Sequence, residues 1–337
     1  MISLINDPMR AMGFTHSGIF HADDVFSTAF LIQYFKFAYG REFPIMRVPN
    51  WPLRADIEYK PGAIVYDIGM GKFDHHGELE FRENGVPYAA FGKLWREFGY
   101  NFVSKRFPDL PSIDNAWIFQ KFDFTFVQGI DAIDNGTMPK ADYPAQATSV
   151  STIIANMNPN WDEDDSTVES LCFYNAVEMA DEIIDIVLNR LAASARAKSI
   201  LSEGFSEVAN KGTIMTLKQF CPWQEEVING NYSCAKNILY ILYPSKRNPG
   251  SWKWQVVPTS VGSFDQRCHV PEGWCGKTGD ELYDACGCLG ATFVHKNGFL
   301  GECTSYESAY SMVCKIIRLA IQRGELAEGY TQIVRTK

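Results

Sequence analysis

The stretch at 63–69, AIVYDIG, limits the fold more than any other: four apolar residues in a row, Ala63 to Tyr66, end on a carboxylate, Asp67. An unbroken apolar run suits a strand covered on both faces, as in a parallel sheet flanked by helices. A carboxylate that closes such a buried strand needs a partner. Parallel strands also need long crossovers, and the sequence supplies them. In ADDVFSTAFLIQYFKFAYG, acids in the first turn and a glycine past the last predict a helix from near Asp23 to just before Gly40. Further helices are expected over about 88–98, 114–134, 147–157 and 167–200. The polar run NPNWDEDDS near residue 160 marks a boundary. After Gly212 the texture turns to β-rich pieces, TIMTL, NILYILYP, WKWQVVPTS and ATFVH, closed by a helix from about Tyr306 to Arg323. The expected architecture is α/β: an N-terminal lobe over 1–160 with a mainly parallel sheet flanked by helices, a helical connector over 161–210, and a smaller C-terminal α+β lobe over 211–337.

Functional side chains of parallel α/β sheets gather in the crevice at the C-terminal ends of the strands. Four of the six histidines fall in two segments that fit this position, GFTHSGIFHADDVFS (13–27) and VYDIGMGKFDHHGE (65–78). His16, His21, Asp23 and Asp24 occupy a strand-to-helix loop; Asp67 ends the apolar strand, and Asp74, His75 and His76 follow closely enough to return to the same place. Asp131 and Asp134 in GIDAIDNG sit one helical turn apart and are expected to point in one direction. All nine cysteines lie at or after Cys172, so the cluster is imidazole and carboxylate without thiolate, a donor set for Mn²⁺, Fe²⁺, Co²⁺ or Mg²⁺. Plain structural roles stand beside these readings: Asp23 or Asp24 as a helix cap, Asp67 in a turn, Asp131 or Asp134 at a solvated helix end.

The net charge of −9 argues against a broad electrostatic grip on nucleic acid, although metal ions could supply positive charge locally. No apolar run approaches the roughly 18–20 residues needed to span a bilayer, and no secretion signal opens the chain. The expectation is a cytoplasmic protein with reduced thiols and no membrane partner.

The DHH tripeptide at 74–76, after an acid-terminated strand and a His/Asp first loop, resembles the DHH phosphoesterase superfamily. Within it, THSGIFHADDVFSTAFL, YDIGMGKFDHHGE, GIDAIDNG, WQVVP and FVHKNGFLG look, in this order, like the blocks of the melanocyte-proliferating-gene (Myg) exonuclease family. The resemblance implies a DHH-type metal-dependent phosphodiesterase or exonuclease that cleaves RNA or short oligonucleotides with a metal-activated water. It implies two divalent ions, manganese first, with magnesium, iron, cobalt or zinc as alternatives. By motif, His16 and His21 would hold one ion and Asp23 and His75 the other, with Asp67 bridging. Asp134, preferred over Asp131, would complete the set. Asp74 and His76 would act beside Asp67 in catalysis, orienting ligands and protonating the leaving oxygen. Arg267, His295, Gly298 and Gly301 would bind substrate in the C-terminal lobe, with a β-hairpin turn as the plain alternative for the last three. The rival functions are a small-molecule phosphatase or pyrophosphatase acting on a small phosphate ester at the same centre, and a non-catalytic metal- or nucleotide-sensing module. The oligomeric state is left open, with a homodimer as one option.

Overall fold

The computed structural model describes residues 2–49, 57, 60–137, 148–163, 165–208, 212–230 and 232–327. They form two compact units, Met1–Ala195 and Arg196–Lys337. The chain is α/β, with one three-stranded parallel sheet and one mixed five-stranded sheet.

The first sheet runs β2-β1-β3, with β1 (Gly13–His16) in the middle, β2 (Ile45–Val48) on one side and β3 (Ile64–Val65) on the other. Both pairings are parallel. The strand expected over 63–69 is therefore shorter, and the cause is local. Asp67 and Met70 each take a left-handed φ of 54°. The chain turns there and the Asp67 amide donates to the Phe73 carbonyl at 3.0 Å. Helix α1 (Ala22–Tyr39) follows β1 and stops at Gly40, whose φ of 64° an L side chain would resist. Every α1 residue from Ala22 to Leu31 is buried, so it is a central helix with no solvent face over three turns.

Helix α2 (Ala90–Arg106) packs along α1, with the Phe30 ring 5.3 Å from Trp95 and 5.4 Å from Phe102. Aromatic side chains of this size contribute about 2–3 kcal/mol each when fully buried. The helix expected over 114–134 is broken into α3 (Ser112–Phe122), a π-helical turn (Asp123–Val127) and α4 (Gln128–Asp134). A π turn advances the chain without the usual 3.6-residue rotation, so it re-aims the side chains that follow. Asp123, at its start, accepts two hydrogen bonds from the Arg82 guanidinium, at 3.0 and 2.7 Å. Helix α5 (Val150–Ala155) lies within the expected 147–157 and opens with the Ser149 hydroxyl accepting from the Thr152 amide; residue 147 is outside the described residues. Helix α6 (Ser166–Val208) contributes to both units: Phe173, Val177, Ile184 and Leu188 enter the core of the first, Leu201, Phe205 and Val208 a core of the second.

In the second unit, β4 (Ile214–Thr216), β5 (Tyr240–Pro244), β6 (Trp252–Val256), β7 (Ala291–Val294) and β8 (Leu300–Cys303) are ordered β4-β5-β6-β8-β7. Only β4 and β5 pair in parallel. Helices α7 (Gln224–Asn229) and α8 (Gly279–Cys286) precede β5 and β7, and α9 (Tyr306–Gln322) closes the unit with Met312, Val313, Ile316 and Ile317 in its core. Strand β8 carries no apolar alternation, and Gly301 within it pairs with Trp254. A β-carbon at Gly301 would lie 2.2 Å from Trp254 Cζ2, a fully buried indole that cannot step aside. Gly301→Ala should therefore lower stability by about 2–3 kcal/mol through overpacking, read as a shifted urea midpoint with unchanged slope. Among the described residues, no helix is long and apolar enough to cross a membrane.

Candidate metal centre

The C-terminal ends of β1 and β3 deliver His16 and Asp67 to the same point. His16 Nε2 lies 3.2 Å from Asp67 Oδ2 and 3.5 Å from Asp24 Oδ2. His16 Nδ1 sits 3.2 Å from the Ser17 carbonyl, which can only accept, so in the neutral ring Nδ1 carries the proton and Nε2 keeps its lone pair. His75 stands between three carboxylates: Nδ1 is 3.4 Å from Asp67 and 4.0 Å from Asp23, and Nε2 is 3.0 Å from Asp134. Three sets of ligand atoms lie within 4.8 Å of one another: His16, Asp24 and Asp67; Asp67, Asp74, His75 and His76; Asp23, His75 and Asp134. Asp67 and His75 each belong to two of them, so the sets are joined.

Buried polar atoms in a native protein are ordinarily paired. Here Asp24 Oδ2, Asp67 Oδ1 and His75 Nδ1 are buried without a hydrogen-bond partner. All three are Lewis-basic atoms of the joined sets, which is the condition a divalent cation satisfies. The electrostatics point the same way. Burial, then the charges of Asp67, Asp134 and Asp131, push Asp23 well above the usual carboxylate range. Burial raises Asp24 to about 7, despite the opposing His16 charge. Burial alone would lower His16, but the Asp67 hydrogen bond and the Asp24 and Asp67 charges carry it to about 9. Without a cation, protons must neutralise this site. The buried Asp/His sets can hold metal; their fit favours oxygen- and imidazole-binding ions.

The walls of the site explain why each group is where it is. Both Asp23 oxygens accept backbone amides at the start of α2, Phe91 at 2.8 Å and Ala90 at 2.9 Å. The third free amide, Gly92, goes to Asp131 at 3.0 Å. Asp131 also accepts Arg82 Nη2 at 2.8 Å and belongs to none of the ligand sets, whereas Asp134 belongs to one, although both charges act on Asp23. A side chain on Gly92 would overlap Asp131 Oδ2, which explains the glycine. Asp24 both accepts the His21 amide at 2.8 Å and turns Oδ2 toward His16, so capping and site duty coincide in one residue. His21 lines the cavity, its ring 6.1 Å from that of His16, but stands outside the ligand sets. Asp74 is tied by the Met70 amide at 2.7 Å and by His76 Nδ1 at 2.7 Å. Burial opposes ionisation there, yet these bonds hold its carboxyl below the ordinary value. They leave His76 Nε2 free of Asp74 on a half-exposed ring.

Two supporting cations, Arg47 and Lys93, stand outside the motifs of the sequence. Arg47, on β2, donates to the His16 and Gly18 carbonyls and to Glu169 of α6, fixing the first loop. Buried Lys93 donates to the Asp74 carbonyl at 2.8 Å and pairs with Glu80. The sets open on a cavity of about 880 Å³ whose described lining includes no Lys or Arg. The expected substrate residues belong to the second unit. Arg267 donates to the Ala235 and Ile238 carbonyls, His295 and Gly298 form the β7–β8 turn, and Gly301 faces Trp254.

The first unit is thus an α/β scaffold for a buried imidazole–carboxylate centre of the kind that takes divalent metal. The chain belongs to the MYG1_exonuc family, described as "Uncharacterised protein family (UPF0160)", whose model matches residues 13–317. It is 30% identical to the MYG1 protein of Saccharomyces cerevisiae, covering 91% of this chain and 96% of that one. It is 28% identical to the MYG1 exonuclease of Homo sapiens, covering 88% and 83%, and 26% identical to the MYG1 protein of Dictyostelium discoideum, covering 90% and 95%. No solved structure matches.

Two outcomes follow. Raised folded-state values for Asp24, Asp131 (about 6) and His16 mean that the metal-free protein binds more protons than its unfolded chain. Its stability is greatest below about pH 4 as far as these groups go, and falls as pH rises through 6, 7 and 9; Mn²⁺ should flatten that decline in thermal scans across pH. Removing Arg82 strands the buried Asp131 charge, so Arg82→Met should cost about 3–5 kcal/mol in denaturant unfolding.

Proposed function

We propose that this protein is a divalent-metal-dependent phosphodiesterase of the DHH type, an exonuclease that removes residues from the end of RNA or a short oligonucleotide. One observation carries the reading: joined His/Asp sets that share Asp67 and His75 and leave three buried ligand atoms unpaired. Relatives named MYG1 exonuclease in Homo sapiens, Rattus norvegicus and Mus musculus support the substrate class. His16, Asp24 and Asp67 hold one ion, and Asp67, His75, Asp134 and Asp23 the other, with manganese first in order; His21 stands by at the cavity wall. When bound, the pair supplies an ionised water and a positive field for charge developing on the phosphoryl oxygens. Asp67 draws the two sets together. Asp74 holds Nδ1 of His76, a residue that lines the cavity, and leaves Nε2 to deliver a proton to the leaving oxygen. Because no Lys or Arg lines the described cavity, the scissile phosphate depends on metal charge, which agrees with an acidic protein. Arg267, His295, Gly298 and Gly301 of the second unit are proposed to bind substrate, and the protein to work in the cytoplasm.

The test is turnover of an end-labelled short RNA with Mn²⁺ by wild type and Asp67→Asn. The expected result is mononucleotide release by wild type, abolished by chelation, and a fall of about 10³-fold or more in kcat for the variant. Turnover of pyrophosphate with intact RNA would favour the small-molecule rival instead.

A further inference from the structure

The catalytic cavity presents two large apolar side chains to solvent at once. Ile19 is 72% exposed and Met70 57% exposed, and both line it. Isolated exposed apolar residues are common; here two of them line the same cavity as the ligand sets.

Ile19 sits between pinned neighbours. The Gly18 amide donates to Glu169 at 2.8 Å and its carbonyl accepts from Arg47 at 2.8 Å. The Phe20 amide donates to Asn158 Oδ1 at 2.9 Å, and Asn158 Nδ2 returns a bond to the Phe20 carbonyl at 2.8 Å. Met70 is held in a left-handed conformation that a residue with a long side chain resists, by the bond from its amide to Asp74. Backbones are thus fixed on both sides while the side chains stay in water. Ser151 also lines the cavity, and its buried hydroxyl has no partner within the protein. Ile68, Ile130 and Ile133 add apolar wall.

A ligand for these surfaces has apolar faces, a polar edge and no charge of its own beyond the phosphate held by metal. A nucleobase has that character. We infer that Ile19 and Met70 grip the faces of the base adjoining the scissile phosphate and that Ser151 hydrogen-bonds its edge. This rests on the phosphodiesterase reading of the same site and makes the enzyme a reader of base presence, not of backbone alone. It assigns the choice of substrate at the cleaved residue to the first unit.

The experiment compares a labelled RNA tetramer with one abasic at both ends, in Mn²⁺, for wild type, Ile19→Gln, Met70→Gln and Ser151→Ala. Wild type should favour the base-bearing tetramer in kcat/KM. Each Gln variant should raise KM for it about tenfold with kcat little changed, shrinking the preference, as expected for loss of an apolar contact. Ser151→Ala should act in the same direction. Equal cleavage of both tetramers by wild type, or variants that keep the full preference, overturns this inference alone. Cleavage of neither by wild type overturns the phosphodiesterase reading with it. Concentration-dependent self-association that Ile19→Gln abolishes, with base preference intact, also overturns it.

Discussion

The first unit is organised by the need to neutralise two carboxylates at the start of a helix whose first three turns have no exposed face. Asp23 and Asp24 open α1 where every side chain is buried. Water cannot solvate them, and desolvated anions without partners would cost several kcal/mol each. The surrounding elements are arranged as the answer. The start of α2 gives its first two amides to Asp23, and the His21 amide and His16 ring address Asp24. What remains unanswered, Asp24 Oδ2 with Asp67 Oδ1 and His75 Nδ1, is the opening for a cation. Stability and chemistry therefore draw on the same charges.

Much of this was legible in the sequence, for definite reasons. Acids in the first turn and a glycine past the last mark α1, because capping acts locally. Clustering of His and Asp around two short loops marks the region of the site, because a parallel sheet sends such loops to one edge. The order of the blocks carried the family. The roles within the cluster were harder. Whether Asp24 or His21 faces His16 depends on the entry angle of α1, which no spacing reveals; the structure turns Asp24 there and leaves His21 on the wall. Asp131 and Asp134 share a face in an ideal helix, but the guanidinium of Arg82, far off in sequence, claims the first.

Other features were hidden by chemistry that looks unhelpful one residue at a time. Leu-Gly-Glu-Cys does not read as a strand, yet Gly301 makes room for Trp254 and buried Glu302 accepts Asn248. Arg47 resembles any surface cation until its guanidinium is found spanning two carbonyls and Glu169, with Phe173 4.2 Å beneath it. Such residues act by joining segments, and separation along the chain conceals them.

The left-handed backbone at Asp67 has an evolutionary consequence. Aspartate and asparagine tolerate that conformation better than most residues with a side chain. A single-base codon change converts one to the other, keeping the turn and its size while removing the anion on which the ligand sets meet. A lineage that makes this change would keep the turn and the architecture while losing the negative charge that two of the ligand sets share.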